Sequence, residues 1–185
     1  MKENDKPYDV ESKKIISAGR LVNIKGFDML IDVASKVFDK HPNWEWHIYG
    51  EGELREELEE KIARNGLQQH LKLMGRTDKL LELYKNYALF VLTSRYEGLG
   101  MVNIEAHGAH LPIVSFNCPF GPGEIIKNDI NGYLVECFDI EKMADKINFL
   151  IENKDKRIEM SQNTMIDKEK FSMDNVIKKW KEILN

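Results

Sequence analysis

The sequence has no surplus of positive charge: 27 Lys and Arg stand against 31 Asp and Glu, a net charge of -4. A broad basic field for nucleic acid or for an anionic membrane is therefore excluded. No apolar run reaches the roughly 18 residues that a spanning helix needs. The first residues, Met1 to Lys14, are polar and charged, unlike a signal peptide. Cysteine is scarce, with only Cys118 and Cys137, so there is neither a close-spaced metal motif nor the disulfide framework of a small secreted domain. They read as free thiols in a reducing cytoplasm. There is no Asp-x-Asp pair to hold a divalent cation, no Gly-Lys-Ser/Thr to close a P-loop, no internal repeat and no low-complexity tract. What is present is 185 residues of ordinary globular composition, enough for one domain with its own core.

Short apolar runs alternate with amphipathic stretches. Lys14 to Ala18, Trp44 to Tyr49, Leu71 to Met74, Leu89 to Thr93, Pro112 to Phe116 and Tyr133 to Val135 predict strands. Helices are predicted from Phe27 to about Asp39, from Glu53 to Arg64, from a cap at Asp78 through Tyr84, and from about Met101. A short one begins at Glu124, and two more span about 139–152 and 155–168. A last amphipathic segment runs from Met173 to Leu184. Residues 1–13 read as a leader or linker, and 14–185 as the domain. Strict alternation of strand and helix demands crossover connections. The fold class is therefore α/β: a Rossmann-like, doubly wound parallel sheet with helices on both faces. Ligands of such sheets bind beyond the carboxyl ends of the strands, where the strand order switches. Gly19, Gly50 with Gly52, Gly75, and Gly98 with Gly100 all follow predicted strands, so on one edge they would line one cleft.

The stretch from Ser94 to Gly108, SRYEGLGMVNIEAHG, carries the chemistry. Gly98-Leu99-Gly100-Met101 leads into a helix, whose unpaired N–H groups and positive dipole end suit an anion, best a phosphate. Such turns also arise for topology alone. Glu97 precedes the turn and is placed at the mouth of the cleft. Glu105 lies one turn into the helix, where its carboxylate can accept two hydrogen bonds from a vicinal diol such as a ribose. Hydroxyls at both ends with phosphate between them describe a nucleoside diphosphate sugar. A surface Glu97 and a solvated Glu105 are the bland alternative. After the first strand, Arg20 and Lys25 flank a loop from which both could reach a diphosphate, Arg20 as a fork and Lys25 as a point charge. Gly50-Glu51-Gly52 lacks the third glycine of a dinucleotide fingerprint, and its acidic neighbours oppose a pyrophosphate. His107 and His110 lack a third metal ligand and read as packing and surface residues. Trp44, Trp46 and Tyr49 alternate as core residues rather than as a stacking platform. Cys118 falls near the cleft with no activating partner.

These motifs together resemble the C-terminal, donor-binding half of the family 4 (group 1) glycosyltransferases, retaining enzymes of the GT-B fold. The resemblance runs from about Lys14 to Leu184. It is carried by Gly19-Arg20-Leu21 with Lys25-Gly26, Gly50-Glu51-Gly52, Gly75-Arg76, the Glu97-to-Glu105 motif, Gly121-Pro122-Gly123-Glu124-Ile125-Ile126 and Asn131-Gly132-Tyr133-Leu134-Val135. Each is weak alone, and their shared order is specific. The resemblance implies that Arg20 and Lys25 hold the donor diphosphate and offset leaving-group charge. It places Glu97 by the sugar hydroxyls, the backbone of Gly98 to Met101 on sugar and phosphate, and Glu105 on the ribose diol. The Gly75-Arg76 loop falls near the base, and Gly19 lies at the same edge. It implies a nucleotide-sugar donor, UDP-linked by analogy of the loop before Glu124, and a hexose or N-acetylhexosamine transferred in lipopolysaccharide or other cell-surface polysaccharide synthesis. No metal or other cofactor is called for.

The resemblance also implies an acceptor-binding domain ahead of residue 1, supplied in the same protein or by a partner chain, that brings a glycan or lipid-linked acceptor. This piece alone would then bind donor and transfer little. The full enzyme would sit in the cytoplasm, with peripheral association at the inner face of the membrane. An apolar face around Trp180 would be open to pairing with another copy. Two other readings stand beside this one. One is a stand-alone nucleotide-sugar binding module without transfer chemistry. The other is a flavodoxin-like interaction domain, in which Arg20, Lys25 and Glu105 would have no reason to meet.

Overall fold

Runs such as Ile15-Ile16, Leu89 to Leu92 and Ile113 to Phe116 are apolar at nearly every position, as strands buried on both faces require. In the computed structural model, which describes residues 9–98 and 100–166, these runs form the middle of a parallel sheet. The elements in chain order are β1 (Lys14–Ala18), α1 (Phe27–Lys40), β2 (Glu45–Tyr49), α2 (Arg55–Arg64), β3 (Leu71–Gly75) and α3 (Leu80–Leu83). They continue with β4 (Leu89–Leu92), α4 (Met101–Gly108), β5 (Ile113–Phe116), α5 (Pro122–Ile125), β6 (Gly132–Val135), α6 (Ile140–Glu152) and α7 (Lys154–Ile166). The strand order is β3-β2-β1-β4-β5-β6, and every pairing is parallel. β1 pairs with β2 on one side and β4 on the other, so the order reverses between β1 and β4.

Two buried clusters lie on opposite faces. One joins Ile15, Trp46, Ile48, Val91 and Phe116 to the apolar stripes of α1, α2 and α6. The other joins Ile16, Phe90, Leu92 and Ile113 to Tyr84, Tyr87 and Ala106. The predicted α/β fold is the one observed. Trp44 and Trp46 are core residues, and Trp46 donates its indole N–H to Ser17 Oγ at 3.0 Å. Tyr49 differs from them, being only half-buried at the carboxyl end of β2.

Element limits differ from the sequence reading where local hydrogen bonds intervene. Asp78 does not cap α3; Thr77 Oγ1 accepts the Lys79 N–H at 3.1 Å, and the helix starts beyond Lys79. Thr93 leaves β4 because its hydroxyl turns to the carbonyl of Gly26 at 3.0 Å. α5 begins two residues before Glu124, at Pro122, whose ring is pre-set for a first helical position. Residues 9–13 lie against the domain: the Asp9 N–H reaches Lys85 O at 2.9 Å and Ser12 Oγ reaches Asn86 O at 2.7 Å. Leu99, the segment from Met173 to Leu184 and Trp180 lie outside the described residues. Among the described residues no helix is long and apolar enough to cross a membrane.

Candidate functional site

A parallel sheet directs the carboxyl ends of all its strands to one edge, and the loops that follow β1, β2, β3 and β4 meet there. A cavity of about 570 Å³ lies among them. Ala18, Gly19 and Arg20 supply its β1 side, Tyr49, Gly50 and Glu51 its β2 side, and Arg76 with Thr77 its β3 side. Leu80 of α3 and Val102 and Glu105 of α4 complete the wall. Val102 and Glu105 are three apart on a helix, so they share its cavity-facing side. Glu105 accepts a hydrogen bond from Tyr84 at 3.3 Å. Tyr84 is buried, and burial first, then the Glu105 carboxylate, push its hydroxyl well above the usual phenol range. Tyr84 therefore remains a donor at every relevant pH and holds the carboxylate in place.

The β1 and β4 loops, on either side of the reversal in strand order, are zipped together. Lys25 Nζ bonds Glu97 Oε1 at 2.6 Å, and Ser94 Oγ donates to the same oxygen at 2.6 Å. Arg95 makes a bidentate pair with Asp28, at 2.7 and 2.6 Å, and donates to Asn23 O at 2.7 Å. The Arg95 N–H bonds Ile24 O at 2.8 Å. Gly26 sits at φ +64, and a Cβ there would stand 2.1 Å from Thr93 O, so only glycine permits this approach. A second close approach joins the β1 and β2 loops: a Cβ on Gly50 would stand 1.8 Å from Gly19 O.

Each residue singled out from sequence can now be placed. Gly19, Arg20, Arg76 and Glu105 surround one cavity. Gly75 lies just before Arg76, with Glu51 Oε1 3.1 Å from where its Cβ would be. Lys25 and Glu97 are joined to each other beside the cavity rather than lining it. Glu97 is not a surface carboxylate at the mouth of the cleft: only 5% of it is exposed. Gly98, Gly100 and Met101 form the turn into α4, with Gly100 as its N-cap at φ 71 and no side chain capping it. Leu99 lies outside the described residues. Tyr49 was read as a core residue and Glu51 as part of Gly50-Glu51-Gly52, and both line the cavity; Thr77, Leu80 and Val102 were not singled out. Glu51 and Thr77 each follow a glycine-bearing strand end, and Val102 precedes Glu105 by three, so position relative to the motifs would have found them.

Cys118 is buried, not exposed in the cleft. Burial, aided by Cys137 and Glu97, pushes its thiol up to about 11, so it stays protonated at neutral pH. His107 is buried near Asn131, its Nε2 3.3 Å from the Asn131 amide nitrogen, and His110 stands beyond the helix at φ 64, 2.9 Å from Thr164 Oγ1. Among the described residues no three His, Cys, Asp or Glu side chains gather to hold a metal.

The zip predicts a pH effect. The Arg95 hydrogen bond holds the Asp28 carboxyl below the usual carboxylate range. A depressed folded-state pKa contributes stability above the unfolded value of about 4, and loses it as pH falls through the folded value. The stability gap between wild type and Asp28→Asn is therefore expected to be level above about pH 5 and to close below about pH 4. Urea midpoints across that range check this; a gap that widens on acidification would refute it.

A doubly wound sheet whose order reverses beside a cavity defines the Rossmann-like class, in which ligands sit at this edge. The family model described as "Glycosyl transferases group 1" matches residues 2–166. The poly(ribitol-phosphate) alpha-N-acetylglucosaminyltransferase of Staphylococcus aureus is 33% identical over 187 residues, covering 100% of this chain and 38% of the relative. The amylovoran biosynthesis glycosyltransferase AmsD of Erwinia amylovora is 34% identical over 181 residues, covering 98% of this chain and 50% of the relative. A crystal structure of a point mutant of S. aureus TarM, in complex with fondaparinux, alpha-GlcNAc-glycerol and UDP, superposes with a TM-score of 0.91 at 33% identity. It is covered to 36% of its length by 97% of this chain. The chain belongs to the group 1 glycosyltransferases, and its sheet is one half of a GT-B fold. It spans half or less of the length of these relatives.

Proposed function

We propose that the chain is the donor-binding half of a retaining, family 4 glycosyltransferase. It takes a UDP-linked hexose or N-acetylhexosamine for transfer to a glycan or lipid-linked acceptor in cell-surface polysaccharide synthesis, lipopolysaccharide included. One observation carries the reading. Arg20, Arg76 and Glu105 come from three separate loops or helices and converge on one cavity at the reversal of strand order. That is a place for phosphate charge between two cations and for a diol on a carboxylate. The N-acetylglucosaminyl transfer and amylovoran biosynthesis in the relatives' names, and the UDP in the TarM complex, support the same reading.

The reaction is departure of a nucleoside diphosphate from the anomeric carbon. Negative charge grows on the leaving phosphate, and positive charge on the sugar ring. Arg20 and the N–H groups at the start of α4 are preorganised for the first. Lys25 joins them, held at the β1 loop by Glu97. The proposal needs no metal, in keeping with a sequence that has no Asp-x-Asp pair. The acceptor arrives on the other half of the cleft, from a preceding domain or a partner chain. This half alone binds donor and transfers little. We place the reaction in the cytoplasm, against the inner membrane face where the acceptor is lipid-linked. Pairing of two copies through the segment around Trp180 belongs to the same reading.

Calorimetric titration with UDP, GDP and ADP, without metal, tests it. UDP is expected to bind selectively. Glu105→Ala is expected to weaken it about thirtyfold, the loss of charge-assisted hydrogen bonds worth about 2 kcal/mol. Selective GDP binding would change the donor and keep the site. Binding of none of the three would end the donor reading.

A further inference from the structure

Tyr96 and Phe120 are large aromatic side chains left in solvent, 47% and 72% exposed. Apolar residues exposed singly are ordinary on a protein surface. These two are paired: their rings meet edge to face, with centroids 6.1 Å apart. They come from separate loops, Tyr96 after β4 and Phe120 after β5, on the sheet edge that carries the cavity. Along that edge the loops of β1, β2 and β3 wall the cavity, and the aromatic pair lies to the other side of the strand-order reversal. Tyr96 immediately precedes Glu97. The β5 loop reaches the same place, since the Glu97 charge helps to push up the Cys118 thiol. Phe120 also has φ +63, where a bulky L-residue is an outlier. Burial does not repay that strain, because the ring is in solvent. Stability alone would place glycine there. A side chain that costs stability by torsion and gains none by burial calls for a use at the surface.

Size decides between two kinds of occupant. With roughly 200 Å² for each aromatic side chain, the pair exposes roughly 240 Å². Each partner of a stable protein interface gives about 800 Å². A sugar ring is the smaller object, and its chemistry fits. One face of a pyranose carries C–H bonds whose partial positive charge suits the negative face of an aromatic ring. Its rim carries hydroxyls, which can exchange hydrogen bonds with the Tyr96 hydroxyl. We propose that Tyr96 and Phe120 are a stacking platform for a pyranose ring of the acceptor glycan, holding it next to the donor sugar at Glu97. The inference rests on the donor-site reading above and adds an acceptor subsite on this half of the cleft.

Saturation-transfer NMR of the full chain, loaded with UDP, tests it, with the disaccharide diacetylchitobiose at millimolar concentration as the probe. Saturating the protein's aromatic protons is expected to transfer signal to the ring protons of the probe. Phe120→Gly is expected to abolish that transfer and leave the UDP Kd unchanged. It is also expected to melt no lower than wild type, because relief of the strained φ offsets glycine's extra freedom in the unfolded chain. Phe120→Trp, which keeps a ring, is expected to keep the transfer. A merely structural Phe120 would give the reverse, a lower melting temperature in the glycine variant with transfer intact, and would overturn the inference. If wild type binds UDP and no transfer reaches the disaccharide, the inference falls and the donor site stands. If Phe120→Gly weakens UDP–N-acetylglucosamine but not UDP, and transfer to the disaccharide persists, the ring serves the donor sugar and the inference falls. If the Tyr96 and Phe120 ring signals broaden with protein concentration in the absence of probe, the patch holds another copy of the chain, and the inference falls. Failure of wild type to bind UDP overturns the donor reading and the acceptor subsite with it.

Discussion

Gly26→Ala is expected to destabilise the chain by about 3–4 kcal/mol. Two costs combine. Gly26 has φ +64, where an L-residue is strained by about 1–2 kcal/mol. The added Cβ would also stand 2.1 Å from Thr93 O and 2.7 Å from Met29 Cε. The methionine end can move, but the backbone oxygen cannot without parting the β1 and β4 loops. Parting them breaks the Thr93 hydroxyl bond to Gly26 O, worth about 1 kcal/mol, and strains the Lys25–Glu97 pair beside it. Gly66 is the control: its φ is +68, and a Cβ there meets nothing within 4 Å. Gly66→Ala should cost only the torsional part, about 1 kcal/mol. Urea midpoints of the two variants separate strain from collision. Equal losses would show that the loops are not clamped through this contact.

The second large effect concerns charge. Lys25→Met is expected to destabilise by about 3 kcal/mol. Glu97 is buried, and its ion partner is Lys25, whose side chain is only 19% exposed. Removing the ammonium leaves a buried carboxylate with the Ser94 hydroxyl as its remaining side-chain bond among the described residues. Such breaks cost more than the pair itself contributes, because the surviving charge is stranded. The double variant Lys25→Met with Glu97→Gln should therefore recover about half of the loss or more. If the double variant is less stable than the single one by the full cost of Glu97→Gln, the two side chains act independently and the stranded-charge account is wrong. If the proposed function holds, the same variant should depress transfer by the full enzyme further than this stability loss explains, since that proposal puts Lys25 on the leaving phosphate.

Most of the fold could be read from sequence because its signals are local. β1 was located to the residue, since an apolar run bounded by Gly19 needs nothing beyond itself to declare a buried strand. α1 is marked by its own stripe of Phe27, Leu30, Ile31, Ala34 and Val37, and His41-Pro42 ends it. The short elements were harder. Asp78 looked like a cap, yet no side chain caps α3, and Thr77 bonds the Lys79 N–H just ahead of it. The cavity was foreseen in outline, because glycines after strands mark the edge of a parallel sheet. Its membership was not: Tyr49 belongs to an alternating strand that the sequence assigns to the core, and only its place at the strand's end exposes it to the cavity.

By itself, then, the sequence determined the alternation of strand and helix, the parallel sheet that this alternation demands, the family, and the glycine turns along one edge. Periodicity and turn chemistry act over a few residues and survive without knowledge of neighbours. Only the tertiary structure decided that β1 stands beside β4. That adjacency brings Lys25 onto Glu97 across 72 residues and leaves Arg20, not Lys25, on the cavity wall. The tertiary structure also leaves the amide of Asn103 without a partner among the described residues. Which charges neutralise each other, and which polar groups go unmet, depends on distances between segments far apart in the chain. Those distances exist only once the sheet is assembled.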